Sequence, residues 1–231
     1  MLLAFDCSSK TASAALIGAD GRLLAQGLLN AGLTHSETLM PLIAGLFDRI
    51  KTTPDQLTRI AVTSGPGSFT GLRIGAATAQ GLSLSLGIPV CGVSSLEAAA
   101  WNVAHMDGYI RAVMDARCEQ VYTALFYAEK SELKRITPDE ACPIGDIFKA
   151  YSSESNYSSN FSKILVGDGA EKCYNIKGEF TPAPPHLRHP TGYGVAMAAL
   201  NGGSFTEELK LNYLRIPQAE RVREEKRRTG L

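Results

Sequence analysis

The hydrophobic positions at the start of the chain fall into short runs. Leu2 to Phe5 is a continuous apolar segment. "TASAALIG" alternates weakly, and "RLLAQGLL" mirrors it after "ADGR", Ala19 to Arg22. An Asp-Gly pair between two such runs is a hairpin signal, so the first thirty residues or so predict three strands in a meander. The period then changes. In "THSETLMPLIAGLFDRI", Thr34 to Ile50, the residues Leu39, Leu42, Ile43, Leu46 and Ile50 recur at helical spacing. Thr34 and Ser36 are N-cap residues, Glu37 completes a capping box with Thr34, and Pro41 is placed in the first turn. Met40 and Phe47 widen the apolar arc of this helix to roughly 160°, beyond the ~100° that one core face requires. Such a helix touches two things.

The alternation of elements continues. "TRIAVTSGPGS" predicts a strand and a loop, and a second helix runs from Phe69 to Leu86. "GIPVCGVSS" is a buried strand and "LEAAAWNVAHM" a third helix, giving the order βββαβαβα. After Asp107-Gly108 the pattern restarts. "YIRAVMDAR" ends in an aspartate as "LLAFDCS" does, and "EQVYTALFYAE" and "ELKRITPDE" supply two more strands. "PIGDIFKAY" predicts a short helix, "SSESNYSSNFS" a polar loop, and "KILVGDGAEKCY" a strand, glycine turn and helix. "PAPPHLRHP" predicts an extended connector, "TGYGVAMAALNGG" a final helix, and "QAERVREEKRRTGL" a charged, frayed tail. Two α/β domains are expected, 1–106 and 107–231, the second less regular than the first.

Composition narrows the function classes. Of 231 residues, 45% are hydrophobic and 20% charged, as in globular domains. No run reaches a membrane-spanning length, and Asp6 comes too early for a signal peptide, so a cytoplasmic protein is expected with no membrane contact. Lysine and arginine total 23, and aspartate and glutamate 23. A chain of zero net charge lacks the basic surplus of a stand-alone nucleic-acid binder. The five cysteines form no CxxC pair, and His35, His105, His186 and His189 form no HxxxH or HExxH pair, so neither a disulfide framework nor a metal site is suggested. His186 and His189 sit among Pro184, Pro185 and Pro190 and read as surface residues. Cys7 is a nucleophile only if a histidine comes near it.

The segment "TSGPGSFTGLRIG", Thr63 to Gly75, carries the strongest local signal. It is not a Walker loop, since no Gly-Lys-Ser/Thr ending follows. It also lacks the GxGxxG spacing of a dinucleotide site and the GxSxG of a nucleophile elbow. Two readings remain. Ser68 caps the helix, and free N–H groups there can hold an anion, with Asp6, Gly67, Ser68 and Thr70 as the contacts. Alternatively the loop is a packing device: Gly71, Gly75 and Ala79 lie four apart and let another backbone approach. Glycine costs about 1 kcal/mol per helical position against alanine, so two on one face imply a packing return. Asp6 is either a nucleotide–Mg²⁺ contact or a turn residue bonded to its own backbone, and Asp115 is its counterpart in the second half. "GDGA", Gly167 to Ala170, either approaches an adenosine or forms a tight turn.

"SGPGSFTGLRIG" followed by "AQGLSLSLGIPVCGVSSLEA" resembles the signature of the TsaB family, also called YeaZ. "LLAFDCSSKTASAAL", "HSETLMPLI", "RAVMDARCEQVY" and "LNYLRIPQAER" fit the same family in the same order. The resemblance implies an actin-like, sugar-kinase-like fold of two related βββαβαβα domains around a cleft. It implies a non-catalytic partner of TsaD, the subunit that transfers a threonylcarbamoyl group to the adenosine beside the anticodon of tRNAs reading codons that begin with A. TsaE joins as an ATPase, tRNA is met only through the complex, and the isolated protein forms a homodimer through the surface that binds TsaD. No cofactor is required by the isolated chain, and ATP or ADP is a candidate ligand of the partner interface. The wide arc of the first helix beside the small-residue face of the second makes Met40, Ala44, Phe47, Gly71, Leu72, Gly75 and Ala79 the expected interface, unless that face packs inside the domain. The alternative is an enzyme in its own right, either a nucleotide hydrolase or kinase of this fold or a peptidase acting on TsaD.

Overall fold

Three antiparallel strands, β1 (Leu2–Asp6), β2 (Ala12–Ile17) and β3 (Leu23–Leu29), open the fold and are followed by α1 (His35–Ile50). Then come β4 (Arg59–Gly65), α2 (Phe69–Leu86), β5 (Val90–Ser94) and α3 (Ser95–Trp101). This first sheet has the order β3-β2-β1-β4-β5, with β4 and β5 parallel to β1. The second half repeats the plan with β6 (Gly108–Asp115), β7 (Gln120–Glu129), β8 (Glu132–Arg135), β9 (Glu140–Pro143), β10 (Ser162–Val166), α4 (Ala170–Lys177), β11 (Thr181–Pro182) and α5 (Gly192–Leu200). Its sheet runs β8-β7-β6-β10-β11, the same order of three antiparallel and two parallel strands, with β9 added to β7. The duplicated topology is the actin-like, sugar-kinase-like fold. The computed structural model describes residues 1–148, 161–177 and 180–215. Most of the serine-rich loop, the end of "PIGDIFKAY" and the charged tail lie outside the described residues.

The unbroken apolar run of β1 follows from burial on both faces. Leu3 pairs with Leu16 and Ile60, and Phe5 with Ala14 and Val62, and this layer meets Leu39, Ile43, Leu46 and Phe47 of α1 and Ala79 of α2. Ala4 pairs with Ala15 and Ala61 on the opposite face, which packs against α3 and α5. Pro41 lies beyond the first turn expected for it, because α1 begins at His35. Asp20-Gly21 makes the β2–β3 turn, closed by the Gly18 N–H on the Arg22 carbonyl at 2.8 Å. The proline-rich connector is not wholly extended, since Pro185–Leu187 form a 3₁₀ turn.

The chain leaves the first sheet after α3 and enters the second at Gly108, but it does not stay there. Helix α5 lies on β1 and β2, and an alanine at Gly194 would drive its methyl into the Ala98 carbonyl of α3. Helix α3 makes the reciprocal move, turning Leu96, Ala99 and Ala100 toward Ile110, Ala112 and Phe126 of the second sheet. Beyond α5, residues 203–215 also run back along the first half. Thr206 bridges Val90 through two backbone bonds, 2.8 and 2.9 Å, and the Asn212 N–H reaches the Ser64 carbonyl at 2.7 Å. A C-terminal domain of 107–231 therefore does not describe the packing of 192–215.

Candidate functional site

The two sheets carry matching turns at the ends of their first strands. Asp6 accepts from the Ser8 N–H and Asp115 from the Arg117 N–H, both at 2.9 Å. Between these turns lies a cleft of about 790 Å³. Its walls include Ser8 to Lys10, the glycine loop with the start of α2, the N-terminus of α1, the β6–β7 hairpin, Asp168, and residues 212–215.

Asp6 does not face the cleft. It is fully buried, and its Oδ1 also accepts from the Ser8 hydroxyl at 2.5 Å and the Thr63 hydroxyl at 2.7 Å. Oδ2 is buried without a partner. Burial pushes the carboxyl up to about 6 against the opposing effect of these hydrogen bonds and of His35. A nucleotide–metal contact through Asp6 does not fit this enclosure. The residue ties the β1 turn to β4 instead, so the turn reading holds. Asp115 differs. Burial works against its ionisation, but the Lys172 ammonium at 2.8 Å and the Arg117 N–H hold it below the usual carboxylate range. Asp168 accepts from the Asp115 N–H at 2.9 Å and is pushed up by burial. The glycine turn before α4 thus braces the second half's aspartate.

The glycine loop is closed against the β1 turn. The Ser68 N–H donates to the Ser8 carbonyl at 2.7 Å, and the Ser68 hydroxyl accepts from the Gly71 N–H at 3.3 Å, capping α2. A side chain at Gly67 would collide with the Ser8 carbonyl and one at Gly71 with the Cys7 carbonyl. A Cβ at Gly75 would lie 3.3 Å from Val62 and 3.5 Å from the Cys7 Cβ. The small stripe is the contact of α2 with β4 and with the Cys7–Ser8 turn that follows β1. Gly67, Ser68 and Thr70 line the cleft, and Asp6 does not.

Five of the seven expected interface residues are buried inside the chain: Phe47, Gly71, Leu72, Gly75 and Ala79. This corrects the expectation for them, because the face they form is already occupied by β1 and β4. Met40 and Ala44 are exposed on α1. The outer face of α2 presents Ala77, Gly81 and Leu84, the last 75% exposed. Helical spacing showed that something approaches α2 closely, but it could not tell a strand of the same chain from a partner.

The histidines divide. His35 and His189 are half-buried and each has a buried Nδ1 without a partner, while His186 is exposed, so the surface reading fails for His189. The His35 Nε2 lies 2.9 Å from the Ser9 carbonyl. Burial and the Asp6 charge drive the Cys7 thiol far above the ordinary cysteine range, which is the opposite of an activated nucleophile. Among the described residues no group of three histidine, cysteine or acidic side chains is placed to hold a metal ion, and no helix is long and apolar enough to cross a membrane. Lys10 and the β6–β7 hairpin are cleft residues that sequence reasoning passed over. The hairpin sets Arg117, Cys118 and Glu119 in left-handed backbone, φ 61°, 50° and 54°, with no glycine to announce it.

A family model described as TsaD, tRNA N6-adenosine threonylcarbamoyltransferase, matches residues 30–199. A Bacillus subtilis (strain 168) protein named tRNA threonylcarbamoyladenosine biosynthesis protein TsaB is 31% identical over 227 residues, 95% of this chain and 96% of that protein. The Escherichia coli (strain K12) protein of the same name is 33% identical over 132 residues, 56% of each chain. Among solved structures, YeaZ from Pseudomonas aeruginosa superposes with a TM-score of 0.76 at 24% identity, over 92% of this chain and 99% of that one. A further solved structure from P. aeruginosa, described as an uncharacterized protein with similarity to peptidase YEAZ, gives 0.77 at 24% identity, over 93% and 99%.

Proposed function

Because the chain belongs to the TsaB family of tRNA threonylcarbamoyladenosine biosynthesis proteins, we propose that within that pathway it is a non-catalytic subunit that docks on TsaD. The observation that carries this reading is the state of the residues that catalysis would recruit. Asp6 is enclosed and Cys7 is buried with a raised pKa, while the glycine loop is sealed by the Ser68–Ser8 bond. TsaE acts alongside TsaD, and tRNA is met through the assembled complex. Transfer assays with each subunit omitted in turn test the role. Modification is expected to vanish without TsaD, and robust modification by this chain in its absence would overturn the proposal.

The docking surface we propose combines the exposed residues of the first two helices: Met40 and Ala44 on α1, and Ala77, Gly81 and Leu84 on α2. Support comes from the exposure of Met40 and Leu84, apolar side chains that bury surface only when a second molecule covers them. The same surface makes the homodimer when TsaD is absent. Leu84→Glu is expected to weaken both associations at least about tenfold, equivalent to ~1.4 kcal/mol, while leaving the melting temperature close to that of the parent. Titration calorimetry with TsaD, sedimentation and thermal melts read the three quantities. Undiminished affinity in the folded variant would remove α2's outer face from the interface.

The runner-up is a peptidase, suggested by the description of one structural relative. A peptide-cleavage assay of the purified chain distinguishes it from the docking role.

A further inference from the structure

The two halves are joined in two unlike places. One is built from packed elements outside the cleft lining: α3 lies between the two sheets, and Arg135 of β8 bonds Glu97 of α3 at 2.7 Å and Asp139 at 2.5 Å. On the same side, Asn102 donates to the Leu187 and His189 carbonyls at 3.0 and 2.6 Å. The other is the returning segment after α5, whose residues 212–215 line the cleft. This segment is anchored to the first half throughout. Gln80 of α2 donates to the Glu207 carbonyl at 2.8 Å and accepts from the Leu209 N–H at 3.1 Å. Tyr213 then stacks on Phe69 with centroids 5.0 Å apart, and its hydroxyl lies 3.3 Å from Arg73 Nε. Two residues on, the Arg215 side chain reaches the second half. Its Nη1 donates to the Ala116 carbonyl at 2.5 Å, and its charge acts on the Tyr122 hydroxyl.

We infer that residues 203–215 form a strap in which Arg215 latches the two walls of the cleft together by bonding the Ala116 carbonyl. The acceptor is suited to the task. Ala116 opens the left-handed hairpin Arg117–Glu119, and its N–H is held by the Gln120 carbonyl at 3.0 Å, so the turn is braced by its own backbone bond. The strap side is equally fixed, by the bridge to β5 and the stacked Tyr213. Among the described residues, one charged hydrogen bond from the strap joins these two braced parts. Its loss is expected to free the cleft walls while α3 and the Arg135 pairs keep the halves hinged. Lys10 adds a weaker, longer-range pull on Asp115 and Asp168, whose carboxyls it favours in the charged form.

The test measures the width of the cleft in the full chain. Nitroxide labels are placed on Cys118, which is exposed on the hairpin, and on Leu33→Cys, exposed on the opposite wall. Cys142, a half-exposed thiol, is replaced by serine. With Arg215 present, pulsed dipolar spectroscopy is expected to give one narrow distance distribution. Arg215→Met keeps the apolar stem and removes the donors. It is expected to shift the distribution to longer distance and broaden it, with the circular dichroism spectrum of the parent. Tyr213→Ala, which unseats the strap while leaving Arg215 in place, is expected to move it in the same direction. An unchanged distribution in folded Arg215→Met overturns the latch. Should that variant fail to fold, an unchanged distribution in Tyr213→Ala overturns it on the same criterion.

Discussion

Gly71→Ala is expected to lower the melting temperature, while the same substitution at Gly81, further along the same helix, raises it. At Gly71 the added methyl would meet the Cys7 carbonyl oxygen, part of a fully buried backbone, and would press to 3.0 Å from the His35 ring. Neither neighbour is the free end of a flexible chain, so α2 has to lift from the turn after β1. Overpacking of this kind costs about 1–3 kcal/mol, and at ~2–4 °C per kcal/mol for a chain of this size the fall is about 2–12 °C. Gly81 is exposed and a Cβ there meets nothing within 4 Å. In the monomer the intrinsic preference for alanine acts there, worth about 1 kcal/mol and a rise of about 2–4 °C when the melt is run at a concentration that keeps the chain monomeric. Thermal melts of the two variants decide the matter. A rise for both would mean that the start of α2 does not rest on the Cys7–Ser8 turn as described. Gly75→Leu should fall with Gly71→Ala, since Val62 and Cys7 already fill the space beside it.

The second large effect is a pH dependence centred on Asp6. Its folded-state value of about 6 lies above the ordinary 3.8, so the native chain holds this proton more tightly than the unfolded chain does. The stability it lends is complete below about pH 4 and is lost as pH rises through about 6. A difference of about two units corresponds to about 3 kcal/mol across that window. Other carboxylates act in the opposite direction, Asp115 among them, because its carboxyl is held low and loses stabilisation on acidification. The comparison that isolates Asp6 is therefore Asp6→Asn against the parent. The asparagine oxygen keeps the three hydrogen bonds to Oδ1 and carries no charge. Its stability relative to the parent should climb by about 3 kcal/mol between pH 4 and 7.5, as read by chemical denaturation at each pH. A difference that stays flat over the same range would show that the carboxyl is not titrating in an enclosed site.

The local events of the fold were written plainly in the chain. Asp20-Gly21 marks its turn, and Ser68 caps α2 through the Gly71 N–H. Glu37 accepts from both the N–H and the hydroxyl of Thr34, at 3.2 and 2.6 Å, and this fixes the start of α1. The restart at Gly108 was visible as a second strand ending in aspartate, and the two sheets share one strand order. What the chain concealed were destinations. A face of small residues implies a close neighbour without identifying it, and here the neighbours are β4 and the turn after β1. The apolar helix at 192–200 gives no sign that it belongs with β1 and β2 and not with the strands just before it. Nor could the position of Asp6 at a strand end reveal that Thr63, far along the sequence, would close over it. The strap at 203–215 has neither helical nor strand periodicity, because its bonds go to side chains and isolated backbone groups of the first half.

The exchange of helices between the halves bears on how the chain folds. The rear face of the first sheet, with Leu2, Ala4, Ala15 and Ile17, is covered in part by Val195, Ala196 and Ala199 of α5. The contacts that complete the first core thus join the two ends of the sequence, and they carry the high loop-closure cost of distant pairings. During synthesis that face is expected to stay unsealed until α5, Gly192–Leu200, has been made, so the first core is completed only by a helix that follows the strands of the second sheet.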